Sequence, residues 1–319
     1  PERMNKELSK ITAEDSPARK VEPPVWQCTL DSMIGNRRIR EFLKKAVHQD
    51  RLPQAILLTG PEGVGKTTMA WALAREIVSG GIDPENHPGA RKICCGGHPD
   101  LIELSGGRSI SSMIKANESR EMEDRAWKTP SDSPLKFILI EPAHKLHRSA
   151  AAALLKTLEE PPPTSLFILV SAQPDTLLTT VRSRCPKFRF GLLTPAEISA
   201  ELVRSHNYSE TDANITAASA DGSRRAALDT DKDEVSRARD VAARTLLALA
   251  AADSPKRRLE CAKELVGKSK QDGAIKDRDL LVRRLRALTS ILRDVGIFSF
   301  RVNDKVLANA DLGLSLIHI

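Results

Sequence analysis

The chain has 319 residues, 40% of them hydrophobic and 29% charged, with 49 Lys and Arg against 42 Asp and Glu. That length bounds two or three domains around at least one sizeable core, and the balance is that of a globular protein. The longest apolar runs fall far short of the ~20 residues a membrane span needs. Aromatics at 3% argue against a stacking platform for single-stranded bases, and the net charge of +7, spread along the chain, fits an anionic partner without deciding for one.

Residues 1–24 are polar and punctuated by proline, the pattern of a loose leader, with Met4 a candidate start. No charged-then-apolar signal opens the chain. The five cysteines (Cys28, Cys94, Cys95, Cys185 and Cys261) form no regular framework, so a reducing cytoplasm is expected. The closing LSLIHI resembles translated sequencing adaptor, and residues 314–319 are set apart from the fold on that ground.

From Trp26 onward the pattern becomes regular. NRRIREFLKKAVHQ spaces Ile39, Leu43 and Val47 on one helical face. Short β-rich runs then alternate with helical stretches: QAILLTG, a helix from Gly65, PDLIEL, LKFILIE, a helix through SAAAALLKTLEE, SLFILVS and PKFRF. Five strands alternating with helices predict a parallel sheet covered on both faces. The stretch 105–135 reads as a loop. After TPAEISAEL the strands stop, and a helical stretch over 192–232 opens at Thr194 with Pro195 in the first helical position. A second helical region follows from 233. There Leu281, Leu285, Leu288, Leu292 and Val295 share a stripe, with Arg283, Arg284 and Arg286 on a solvated face. The expected organisation is an α/β domain over 25–191, a small helical lid over 192–232 and an all-α domain over 233–313.

GPEGVGKTT fits G-x-x-x-x-G-K-[ST] over Gly60 to Thr67, directly after a predicted strand and opening a predicted helix. Glycines at Gly60, Gly63 and Gly65 let the backbone curl so that its N–H groups and the helix N-terminus face phosphate oxygens. Lys66 would reach the β- and γ-phosphates. Thr67 would ligate Mg²⁺, with Thr68 beside it. The expected cofactor is ATP with Mg²⁺.

FILIE, ending at Glu141, supplies a strand-end carboxylate for the metal. The next position would hold a second carboxylate to activate the attacking water, and here it is Pro142, which offers no proton acceptor. Binding of ATP is expected and hydrolysis is not.

The chain becomes specific at AAAALLKTLEEPPPTSLFILVSAQPDTLLTTVRSRC. With LLKTLEEPP intact at Leu154–Pro162 and Ser-Arg-Cys at Ser183–Cys185, it resembles the δ′ subunits of the bacterial DNA polymerase III clamp loader, within the AAA+ family. It departs from them at Ala152, where Asn is usual. The resemblance runs over about residues 26–313. It implies that Arg184 is an arginine finger acting in trans on a neighbouring subunit's ATP, since a fork-shaped permanent cation stabilises charge developing in phosphoryl transfer. The alternative for Arg184 is a surface arginine paired with a carboxylate.

GSRR resembles the family's second sensor, with Arg225 at the matching position. The first sensor would be Ser171 or, at the better-matching position, Ala172, which has no hydroxyl. Family members hold zinc with four spaced cysteines. Here only the adjacent Cys94 and Cys95 remain, with His87 and His98 nearby, so zinc is not expected. Arg293–Asp294 and Asn309–Asp311 resemble the collar that closes the family's ring. The partners implied are γ/τ and δ subunits in a hetero-pentameric ring, a sliding clamp, and primed DNA through the complex, with no membrane. Two other readings stay open: a γ/τ-type motor subunit, and an unrelated P-loop kinase, which would leave Ser-Arg-Cys unexplained.

Overall fold

A computed structural model describes residues 29–94, 96–105, 113–114, 116–229, 232–266 and 274–299. The leader 1–24, Asn309–Asp311 and the tail 314–319 lie outside the described residues. The elements begin with α1 (Arg37–His48), β1 (Ala55–Thr59), α2 (Lys66–Val78), α3 (Pro88–Cys94), β2 (Leu101–Ser105) and α4 (Ala116–Ala126). Then come β3 (Lys136–Glu141), α5 (Arg148–Glu159), β4 (Ser165–Ser171), α6 (Thr179–Arg184) and β5 (Lys187–Arg189).

The five strands form one parallel sheet in the order β2-β3-β4-β1-β5. β1 and β4 are buried along their whole length, as continuous apolar runs in a parallel sheet covered on both sides should be. Period-2 alternation divides their side chains between two cores. Ile56, Leu58, Ile168 and Val170 face α1 and α2, where Leu43, Met69 and Leu73 pack. Ala55, Leu57, Phe167 and Leu169 face α4, α5 and α6, against Met122, Leu154, Leu158 and Val181. Full burial of each such side chain contributes about 1.5–3 kcal/mol. The Ile39/Leu43/Val47 stripe turns inward as its spacing predicts, with Leu43 fully buried.

One stretch expected as loop is partly helical. Within 105–135, α4 covers Ala116–Ala126 and buries Ser119, Met122 and Ala126. Their spacing of three and four is a helical stripe, but it is narrow, and the charged residues between them hide it.

Beyond β5 the described chain is helical: α7 (Pro195–His206), α8 (Glu210–Ser219), α9 (Arg224–Asp229), α10 (Lys232–Ala250), α11 (Pro255–Lys263) and α12 (Ala274–Ser299). Thr194 caps α7 in a reciprocal capping box with Glu197, and Pro195 takes the first helical position. Leu193, Ile198, Leu202, Ala213 and Ala217 form a small core under α7 and α8.

The stripe expected on α12 is corrected in part: Leu288 and Val295 pack against the core with α10, and two of its leucines do not. Leu285 and Leu292 are 45% and 46% exposed, while Ala287, Ser290, Ile291 and Asp294 are buried. α10 approaches through Ala242 and Leu246 onto Ala287 and Ile291, and small side chains at the contact select a face that a count of leucines misses. The arginines differ too. Arg283 and Arg284 are half-buried, with Arg284 Nη1 donating to the Leu265 carbonyl at 3.1 Å, and Arg286 pairs with Asp221 at 3.6 Å.

Candidate nucleotide site

The loop between β1 and α2 turns back over the C-terminal edge of the sheet. Gly65, the residue before α2, sits at φ +93°, where a side chain would be strained, and the first turn of α2 opens directly onto the loop. Lys66 is buried, and its Nζ donates to the carbonyls of Gly60 at 2.9 Å and Pro61 at 2.5 Å. The ammonium is thereby held over the loop that it would share with phosphate. Burial pushes its pKa below the ordinary lysine value, against the opposing pull of Glu141 and Glu62.

β3 delivers Glu141 opposite the start of α2. The Thr67 hydroxyl donates to Glu141 Oε1 at 2.5 Å, so a hydroxyl and a carboxylate from separate elements converge on one point. Burial raises the Glu141 pKa, and the Thr67 hydrogen bond, Lys66 and Arg225 act the other way. A hydroxyl and a strand-end carboxylate beside a lysine are the oxygen donors that a hard divalent ion on phosphate requires.

A cavity of about 660 Å³ opens over these groups, lined by Gly63, Gly65, Lys66, Thr67, Thr68, Glu141 and Arg225 among others. Gly60 contributes through its carbonyl to Lys66. All the residues expected to bind nucleotide therefore converge, and the cavity's size and donor set suit a nucleoside triphosphate with a divalent ion. Pro142 lines it at the position after Glu141, joined to it by a cis peptide bond.

Several lining residues were not expected. Trp71 lies one helical turn beyond Thr67 and is legible in hindsight from that spacing. Glu62 belongs to the loop itself. His144 follows Pro142 by two residues, with its Nδ1 3.4 Å from the Ser171 hydroxyl. Burial pushes the His144 pKa down; Glu62 opposes the shift, and Lys145 and Lys66 reinforce it. Ser171 also accepts from the Gln173 N–H, and Val170 and Ala172 present the carbon surface at this wall.

The helical segment after the sheet closes the other side. The Arg225 backbone N–H donates to the Gly63 carbonyl at 3.2 Å. Gly63 has φ +75°, and a Cβ there would stand 2.0 Å from Ser223 Oγ, so only glycine admits this approach. The Arg225 side chain is exposed and pairs with Asp229 at 3.2 Å. Its neighbour Arg224 is half-buried in a two-pronged pair with the buried Glu201, at 2.6 to 2.9 Å. The resemblance at GSRR singled out Arg225, while nothing in the sequence pointed to the Arg224–Glu201 pair.

Arg184 does not line the cavity. It ends α6, and its Nε donates to Glu159 Oε1 at 2.6 Å while Nη1 donates to the Thr180 carbonyl at 2.8 Å. Nη2 also meets Glu159 Oε1. The adjacent Cys185 thiol is buried, and burial pushes its pKa up to about 11, so it is an unreactive thiol at neutral pH. At the cysteine-poor segment, His98 is buried and its Nδ1 accepts from the Asp100 N–H at 3.2 Å. The side chains of Cys94 and Cys95 lie outside the described residues, and no metal-ligating cluster occurs among those described.

Residues 35–194, half of the chain, match the model of the family described as DNA polymerase III, delta subunit. The chain belongs to that family. It is therefore of the clamp-loader δ′ and γ/τ type, and its loop sequence is the kind that cradles phosphate. Among curated relatives, it is 34% identical over 170 residues to the DNA polymerase III subunit delta′ of Bacillus subtilis, covering 52% of this chain and 50% of that one. It is 32% identical over 178 residues to the subunit gamma/tau of Mycobacterium tuberculosis, covering 54% and 30% respectively. The chain thus spans a third to a half of the length of these family members. Among solved structures, it is similar to the Thermotoga maritima RuvB Holliday junction branch migration motor, with TM-score 0.47 and 19% identity over 91% of this chain and 86% of that one. Among the described residues no helix is long and apolar enough to cross a membrane.

Proposed function

We propose that this chain is a δ′-type subunit of a bacterial clamp loader: it binds ATP with little turnover and lends Arg184 to a neighbouring ATPase. Its partners would be γ/τ and δ subunits in a five-membered ring that opens a sliding clamp and sets it on primed DNA in the cytoplasm. Residues 25–191 would be the nucleotide-binding domain, 192–232 the lid and 233–313 the collar.

The observation that carries this reading is a complete phosphate-binding loop facing Pro142. Gly60, Gly63, Gly65 and the α2 N-terminus would hold the phosphates, joined by Lys66 once it leaves the Gly60 and Pro61 carbonyls. Thr67 and Glu141 would hold Mg²⁺, whose chemistry is to neutralise charge on the β- and γ-oxygens. At the mouth where a carboxylate would orient water, the pyrrolidine ring accepts no proton. Arg225 would report the γ-phosphate to the lid. Arg184 lies outside the chain's own cavity, which supports a role on another subunit's ATP.

A specific observation favours the γ/τ-type motor as second reading: His144 lines the cavity and burial favours its neutral form, the form able to accept a proton. Isolated protein, with and without primed DNA and clamp, separates the two. The δ′ reading expects binding of an ATP analogue with negligible phosphate release. DNA-stimulated turnover, abolished in His144→Ala, would establish the motor instead.

A further inference from the structure

We propose that Glu159 is the positioning residue of the arginine finger, presenting one chosen edge of Arg184 to the neighbouring subunit's triphosphate. This rests on the reading of Arg184 given above.

A guanidinium carries five N–H donors in a rigid plane. Three are engaged within the chain. The side edge, Nε and Nη2, is turned onto Glu159 Oε1, and Nη1 donates to the Thr180 carbonyl. Two protons are left over, one on Nη1 and one on Nη2. Phosphate oxygens are the acceptors that such charged donors take. The Arg184 side chain is 30% exposed, as a group held on one edge and open on the other should be.

The placement of Glu159 is not what helix stability alone selects. It is the last residue of α5, where the helix dipole disfavours a carboxylate, and Glu160 follows it. It also lies in LLKTLEEPP, apart from Ser-Arg-Cys in sequence, and α5 and α6 are brought together by the shared core of Leu154, Leu158 and Val181. The two motifs thus meet in one hydrogen-bonded unit. A long side chain held on two sides loses its freedom before the partner arrives, which is how a preorganised donor acts on developing charge.

The test uses the full chain reconstituted with the loader's ATPase subunits. Glu159→Met keeps the length and the stem but removes the acceptor. It should lower kcat about tenfold with KM unchanged. Glu159→Gln, which keeps a side-chain oxygen, should return the rate to within about threefold of wild type. Combining Glu159→Met with Arg184→Ala should be no slower than Arg184→Ala alone, because both act through one guanidinium. In the free chain, the Arg184 Nε–H should exchange slowly with solvent in wild type and in Glu159→Gln, and fast in Glu159→Met. This second measurement holds even where the Met variant assembles poorly. A wild-type or faster rate in Glu159→Met, with Arg184→Ala slow, would overturn the positioning role and leave the finger standing. Wild-type rates in both single variants would overturn the finger itself.

Discussion

The Arg225 N–H bonds to the Gly63 carbonyl at 3.2 Å, a backbone contact between the helical segment and the phosphate loop. It ties the proposed lid to the element that nucleotide would reshape, with no side chain in between. Gly63→Ala puts a Cβ 2.0 Å from Ser223 Oγ and 3.0 Å from Arg225 Cβ, at a backbone angle that disfavours it. We expect a loss of about 1–3 kcal/mol, measured by urea unfolding. Amide exchange should accelerate over 222–229.

The proposed lid also depends on an ion pair with little exposure. Arg224 and Glu201 are 14% and 8% exposed and joined by two-pronged hydrogen bonds. Arg224→Ala leaves the carboxylate buried without that partner, at a cost of about 3 kcal/mol. Replacing both residues with apolar ones of similar size should cost much less. Thermal melts of the single and double variants check the difference.

Glu141 predicts a conflict between stability and function. Its pKa is raised by burial, so the fold favours its neutral form. Stability tied to this group is full below the ordinary carboxylate pKa and falls as pH rises through the raised value. Glu141→Gln should therefore melt higher than wild type at neutral pH, the gap closing toward about pH 4. The same variant should weaken Mg²⁺-dependent nucleotide binding by roughly 10–100-fold, read by calorimetry with and without the metal.

Lys66→Ala removes the ammonium that the loop carbonyls now hold. Loss of a charged hydrogen bond of ~1.5–3 kcal/mol predicts a ten- to hundredfold weaker Kd for ATP. For wild type, affinity should also decline on the alkaline side sooner than an ordinary lysine would allow, because burial lowers this pKa. Fluorescent nucleotide titration across pH checks both.

Local pattern revealed much of this. The strands AILLT, KFILIE and SLFILVS are continuous apolar runs, and the loop motif between β1 and α2 needed no structure to be found. The sheet order was not legible, because β1 lies between β4 and β5 only through crossovers that no local signal records. Arg225 could be named as facing the cavity, but its backbone bond to Gly63 depends on how the segment folds back. The Arg184–Glu159 contact joins residues 25 apart that look independent in sequence. Leucine counting was right only in part on α12: Leu288 and Val295 pack at the contact, but Ala287 packs where Leu285 does not.

On the proposed reading this chain serves another subunit's triphosphate, and Arg184→Ala tests that most directly. The variant is assembled with the ATPase subunits, and loader turnover is measured alongside ATP binding by this chain. Turnover should fall roughly 100-fold or more, with Kd at the Lys66 site unchanged. Turnover equal to wild type in a fully assembled complex would contradict it.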